Sequence, residues 1–296
     1  MNPSLRGLIR RAEVIDLQFS ETIRLAPMMR RLNPSARLVG TFHDVQSQLF
    51  GREVDGSPED AAFWLAAADR ARREEAKAVR RLDETLVFSA KDAHLLGDPR
   101  NARIVRPPLA RGDEVRHRAP MGRPTICFVA HLARPENEQA VVWFLQEGWA
   151  RVRAAIPEAR WVIAGAGASA ELVDRVSQSP GVDLAGYVPD LSQVYTEASV
   201  ALIPLRQGAG LKFKTVEAML AGVPLVTTSV GAEGVAPDHY FALVADRVDH
   251  LTSAVIDVLQ KPEHHQRRAD EAQLWAQQSY GVDAFKQHIR AAYGWV

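Results

Sequence analysis

IPLRQGAGLKFKTVEAMLAGVPLV, residues 203–226, reads as a strand end, a glycine turn, a helix and the start of another strand. Gly208 and Gly210 let the backbone approach a ligand closely, and the helix behind them opens with unsatisfied N–H groups that suit an anion. Arg206, Lys212 and Lys214 add the charge and hydrogen-bond donors that a diphosphate requires. Glu217 follows Lys214 by three residues, on the same helix surface. A carboxylate there suits the vicinal hydroxyls of a ribose. No neighbour in the sequence points to a raised pKa, so its expected role is binding. The plainer alternatives are a tight turn before a solvated basic helix, and an ion pair between Lys214 and Glu217. The GKS or GKT ending of a Walker loop is absent.

Outward from this stretch, short β-type runs alternate with longer helical ones, which predicts an α/β fold with parallel sheets and crossover helices. TICFVA (125–130), ARWVIAG (159–165), VDLAG (182–186), SVALIPL (199–205), VPLVTTS (223–229) and FALVA (241–245) are expected strands. Helices are expected from about Asn137, from about Ser169, near Lys212, and over 248–260 and 263–278. Upstream, AEVIDLQ (12–18), ARLVGTFHD (36–44) and DETLVFSA (83–90) read as three strands, with a helix opened by Ser57, Pro58 and Asp60 between the second and third. Residues 107–123 are polar and proline-containing, as a linker would be. The expected organisation is a short first domain over 1–110, a second over 124–280, and a segment over 281–296 that packs back on the first. Three strands are few for a nucleotide-binding sheet, so the first domain reads as incomplete: partner surface completes it, or upstream coding sequence does.

Lys plus Arg and Asp plus Glu stand at 36 each, which leaves no net field to recruit nucleic acid. Cys127, the single cysteine, sits in an apolar run and reads as core; a disulfide framework is excluded. MNPSLRGLIR lacks the apolar core of a secretory signal, so a cytoplasmic protein is expected, with peripheral attachment to the membrane left open. His117 and His131 are separated, and His264 with His265 reads as a polar helix start, so no metal is assigned.

The order and spacing of GTFHDVQSQLF, FVAHLARPENEQAVVWFL, ARWVIAGAG, VDLAGYVPDLSQVY and ASVALIPLRQGAGLKFKTVEAMLAGVPLVTTSVGAEG resemble those of the family-four retaining glycosyltransferases. The resemblance runs in outline over residues 10–293 and is strongest over 125–234. It implies two facing Rossmann-like domains of GT-B type, a nucleotide-diphosphate sugar as donor, no further cofactor, and a sugar, lipid-linked or small-molecule acceptor.

Residue by residue, the resemblance places Glu217 at the second glutamate of the family's paired-glutamate segment, beside the donor ribose. The first glutamate is replaced by Ala209. His43, at the end of the strand-like RLVGTF, is implied to line the cleft near the donor pyrophosphate and the transferred sugar, and becomes the catalytic-region candidate together with Lys214; composition alone would make it an ordinary loop histidine. Basic residues often found after the first strand of the donor domain are imperfectly retained, with His131 at one such position and Arg134 a substitute. Phosphate contacts then fall on Arg206, Gly208, Gly210, Lys212 and Lys214. Tyr187 and Val188 are implied beside the nucleobase, and Gly165 and Gly167 are read as a turn that approaches the donor from below. A same-face transfer is implied, with charge developing on the leaving diphosphate. A catalytically inactive nucleotide-sugar-binding or assembly subunit is the alternative, motivated by the short first half and by Ala209.

Overall fold

The computed structural model describes residues 3–56, 58–112 and 122–295. The chain divides into two compact units. One comprises Met1–Pro108, Gly208–Leu211 and Val282–Val296; the other comprises Leu109–Gln207 and Lys212–Gly281. Most of the expected linker, 113–121, lies outside the described residues.

In the first unit β1 (Val14–Gln18), β2 (Arg37–Phe42), β3 (Glu84–Val87) and β4 (Ala102–Ile104) form a parallel sheet in that order. Three of these strands were expected. The fourth is three residues long, half-buried and centred on Arg103, too short and polar to register as an apolar run. Alternation along β2 explains how the sheet is covered. Leu38 and Phe42 enter the core built with Ile23, Met29 and Leu82, whereas Val39 turns to the opposite face with Leu86. Gly40 shares the first face because a Cβ there would run into Leu82 and Ile23. The opposite face is covered by the helix Val282–Tyr293, whose Phe285, Ile289 and Tyr293 pack, beside Val14, on the cluster of Val39, Leu86 and Val105. Arg37 Nε donates to the carbonyl of Ala292 at 2.6 Å and ties that helix down.

The expected serine cap at residue 57 falls outside the described residues. The helix Ala61–Val79 begins behind a 3-10 turn, Pro58–Asp60, and Asp60 at its N-cap makes no side-chain hydrogen bond. The amphipathic helix Pro3–Arg11 and the helices Phe19–Ile23, Ala26–Leu32 and Gln46–Gly56 were not among the expected elements.

In the second unit β5 (Thr125–Val129), β6 (Arg160–Ala164), β7 (Val182–Gly186), β8 (Val200–Ile203), β9 (Leu225–Thr227) and β10 (Leu243–Val244) form a six-stranded parallel sheet ordered β10-β9-β8-β5-β6-β7. All six match expected strands. The chain builds outward from β5 in one direction, then returns to its other side with β8, which is the doubly wound Rossmann order. Burial on both faces accounts for the continuous apolar runs: Ile126, Cys127, Phe128, Trp161, Ile163 and the whole of β8 are buried.

Candidate functional site

Strand order reverses between β5 and β8, which are paired at Ile126 with Val200 and Cys127 with Ala201. In such sheets ligands gather beyond the carboxyl ends of the strands at this reversal. The loops leaving these two strands carry residues 130–134 and 204–212, and the second runs into the helix Phe213–Leu220. The topology therefore puts Arg206, Lys212 and Lys214 beyond the carboxyl end of β8 in the second unit.

The loop after β5 is held down by glycines. Gly165, at φ +144°, lies so close to the Ala130 carbonyl that a Cβ would overlap it, and Gly167, at φ +87°, packs against Ala133 in the same way. Leu132 N–H donates to Ala166 O at 2.8 Å, and Asn137 Nδ2 donates to His131 O at 2.7 Å. These contacts leave His131 and Arg134 exposed. The glycines of IAGAG thus permit the approach of one loop to another.

Lys212 and Lys214 have different environments. Lys212 is buried, and its Nζ lies 3.3 Å from Glu233 Oε1. Lys214 is half-buried, and among the described residues no carboxylate comes within ion-pair distance of it. Desolvation, helped by the charge of Lys212, pulls its pKa down to about 8, with Arg134 acting in the same direction and Glu136 and Glu217 opposing. Lys214 is therefore a cation at neutral pH whose charge the protein leaves under-compensated. The ion pair with Glu217 considered from the sequence is not formed.

Glu217 is exposed. Protein mass around it nonetheless raises its carboxyl pKa by desolvation, while Arg111 and Lys214 hold it down. The sequence held no local sign of this, because the cause is the tertiary surroundings. Arg111 was counted as linker; the structure puts it close enough to act on both Glu217 and Asp190.

Arg206 is exposed at the start of the loop after β8. Its guanidinium sits 5.1 Å from the centre of the Trp143 ring, lining a surface depression with Glu147 and Asp246–Asp249. Arg134 is among the charges that act on Lys214. Tyr187 and Val188 follow edge strand β7, with the Tyr187 ring 75% exposed.

The glycines of the loop after β8 take left-handed backbone, Gly208 at φ +114° and Gly210 at φ +66°. Residues Gly208–Leu211 count with the first unit: the Arg52 guanidinium donates to the Gly208 carbonyl, and a Cβ on Gly210 would overlap the Asp44 carboxylate and the His43 carbonyl. His43 follows β2 and is half-buried. Desolvation lowers its pKa, with Asp44 and Asp16 opposing.

Cys127 is buried in the core, with its thiol pushed up to about 12 by desolvation. His265 Nε2 lies 2.8 Å from Asp257 Oδ2, and His117 lies outside the described residues. Among the described residues no group of His, Cys, Asp and Glu is arranged to hold a metal ion, and no helix is long and apolar enough to cross a membrane.

Residues 123–261 match the family model described as Glycosyl transferases group 1. Over 126 residues the chain is 32% identical to a Klebsiella pneumoniae protein described as an uncharacterized 44.6 kDa protein in the cps region; the match spans 40% of this chain and 32% of that protein. The chain is similar in structure to S. aureus TarM, solved with UDP and alpha-GlcNAc-glycerol, at a TM-score of 0.72 and 12% identity over 98% of this chain and 57% of TarM. Sucrose-phosphate synthase from Thermosynechococcus elongatus gives 0.72 and 16% over 95% and 73% of the two chains. Anabaena HepE, solved with UDP and glucose, gives 0.69 and 13% over 99% and 81%. At these identities the likeness is one of fold, and it is the fold of the GT-B glycosyltransferases. The segment that matches the group 1 glycosyl transferase model runs from just before β5 to the end of the helix Val248–Gln260 and so takes in the entire six-stranded sheet.

Proposed function

We propose that the chain is a retaining glycosyltransferase of family-four type. It transfers a sugar from a nucleotide-diphosphate donor to a sugar or lipid-linked sugar. The observation that carries this reading is Lys214: a cation with no ion-pair partner among the described residues, on the loop and helix that follow β8 at the reversal of strand order. A diphosphate supplies the compensation that the protein withholds. Lys214, Arg134 and backbone donors near Gly208 and Gly210 hold the phosphates, and Glu217 accepts hydrogen bonds from the ribose. Tyr187 and Val188 cover the base, and His43 serves the sugar. Lys212 supports the loop through Glu233. Arg206, exposed beside Trp143, adds charge for the phosphates.

During transfer the acceptor oxygen bonds to the anomeric carbon on the face from which the diphosphate departs. Negative charge grows on the leaving phosphate, and a fixed cation beside it lowers the barrier because its interaction strengthens as the charge develops. Support for a sugar donor and acceptor comes from the ligands of the structural relatives, UDP with glucose in HepE and UDP with alpha-GlcNAc-glycerol in TarM. The buried, inert cysteine suits a cytoplasmic setting. Contact with a membrane surface is supported by the helix Pro3–Arg11, which exposes Leu5 and Leu8 beside Arg6, Arg10 and Arg11.

The test is calorimetric binding of nucleoside diphosphates and their sugars, UDP-glucose first, to the parent and to Glu217→Gln, followed by the anomeric configuration of any product. A charge-assisted ribose contact is worth about 1.5–3 kcal/mol, so the variant should bind roughly 10- to 150-fold more weakly. A product with inverted configuration defeats the retaining assignment. Donor binding without transfer to any acceptor favours the inactive binding subunit.

A further inference from the structure

His43 is held by a chain of side chains that no feature of its own loop suggests. Its Nε2 lies 2.8 Å from Gln18 Oε1 at the end of β1. On the other side of the Gln18 amide, Nε2 lies 2.6 Å from Asp16 Oδ2 and 3.1 Å from Thr41 Oγ1. Asp16 Oδ2 also accepts from the Tyr293 hydroxyl at 2.7 Å, a contact delivered by the helix Val282–Tyr293. Asp16 Oδ1 is buried with no hydrogen-bond partner among the described residues. The carboxylate is therefore satisfied through one oxygen, by Gln18 and Tyr293.

This arrangement fixes the positions of the protons. A carboxylate only accepts, so the part of Gln18 facing Asp16 is its NH₂, and the part facing His43 is its carbonyl oxygen. A carbonyl only accepts, so His43 Nε2 must carry a hydrogen. Desolvation of the ring favours the neutral form over the Asp44 and Asp16 charges that oppose it, and in the neutral ring the other nitrogen, Nδ1, is then a bare acceptor. Among the described residues Nδ1 has no hydrogen-bond partner.

The ring is also fixed in space. Phe19 stacks on it with centroids 3.8 Å apart and planes at 20°, and Phe88 meets it edge-on at 4.9 Å. Phe19 takes φ +68°, left-handed backbone that a non-glycine residue adopts only at a cost. That cost falls at the residue whose ring lies on the imidazole.

We propose that Gln18, backed by Asp16 and Tyr293, is a positioning residue. It locks His43 as the neutral Nε2–H tautomer, so that Nδ1 accepts a hydrogen bond from a sugar hydroxyl and does not act as a cation toward phosphate. The inference rests on the proposed assignment of His43 to the sugar.

The experiment is ¹⁵N-histidine NMR of the full chain, with the His43 signals assigned by their loss in His43→Gln. The parent should show one tautomer, protonated at Nε2. Gln18→Met should show a mixture, together with a roughly tenfold fall in kcat, a shifted pH profile and little change in donor KM. A parent protonated at Nδ1, doubly protonated at pH 7.5, or unaltered in tautomer by Gln18→Met overturns the proposal. Should Gln18→Met fail to fold, the parent spectrum decides the tautomer, and Tyr293→Phe, which removes one remote hydroxyl, must loosen it. The underlying assignment is tested separately by His43→Ala: unchanged transfer by that variant defeats the sugar role of His43 and with it the positioning role, even where the tautomer is as stated.

Discussion

Lys212 and Glu233 face each other across 3.3 Å with side chains only 6% and 13% exposed. Removing one member of such a pair leaves the other charged and buried, which costs about 3–5 kcal/mol. Lys212→Met and Glu233→Gln should therefore each lower the midpoint of urea unfolding with the slope unchanged. The double variant should recover much of the loss. If the two single losses simply add, the side chains are not coupled.

Lys214 should behave in the opposite way toward stability. Its folded pKa of about 8 lies below the usual lysine value, so between about 8 and the ordinary value near 10.4 the unfolded chain binds more protons than the folded one. Stability contributed by this site thus rises with pH across that window. Below it the buried charge is a net burden. Lys214→Met should raise the melting temperature at pH 7, by roughly 2–4 °C for each kcal/mol relieved in a chain of this size. An unchanged or lowered melting temperature would show that its charge is well compensated.

The same residue predicts a proton linkage in ligand binding. A diphosphate beside Lys214 favours its charged form and raises its pKa. Calorimetry at pH 8.5 in buffers of different ionisation enthalpy should then reveal proton uptake on binding UDP. Lys214→Arg should bind with no uptake, because an arginine is charged throughout this range.

Gly165→Ala should destabilise the second unit. The φ of +144° alone costs a side-chain-bearing residue about 1–3 kcal/mol, and the added Cβ must displace the Ala130 carbonyl. Chemical denaturation would register the loss. Full stability would mean that the loop after β5 yields easily, and a rigid role for Arg134 would fall with it.

Cys127 should resist alkylation in the folded protein at pH 8, since its thiol is buried and held near 12. Labelling should appear only with denaturant. Rapid native labelling would mean that the centre of the second sheet opens readily.

Much of this molecule was legible in its residues. The six strands of the second sheet are apolar runs between glycine and proline punctuation, and parallel burial makes such runs continuous, so pattern and structure coincide. β4 escaped because three residues around an arginine carry no period. The charged side chains of the loop after β8 announced an anion site, but their division of labour was hidden. Whether Lys212 or Lys214 is the under-compensated cation depends on Glu233, 21 residues beyond Lys212. The contact of Arg206 with an indole 63 positions earlier could not be read from its neighbours in sequence. Arg111 looked like linker for the same reason. No spacing rule joins Gln18 to His43, because that bond crosses adjacent strands whose pairing is set by the whole sheet.

The helix Val282–Tyr293 completes a sheet whose last strand ends at Ile104. On the ribosome, the face of that sheet bearing Val14, Val39 and Leu86 emerges while the residues of the intervening unit are still being joined. At roughly 5–20 residues per second, it waits on the order of 10 s or longer for its cover. During that interval the apolar face of the first sheet has no cover from this helix. A chaperone that shields apolar strands would find its client there, in a segment that the finished protein conceals.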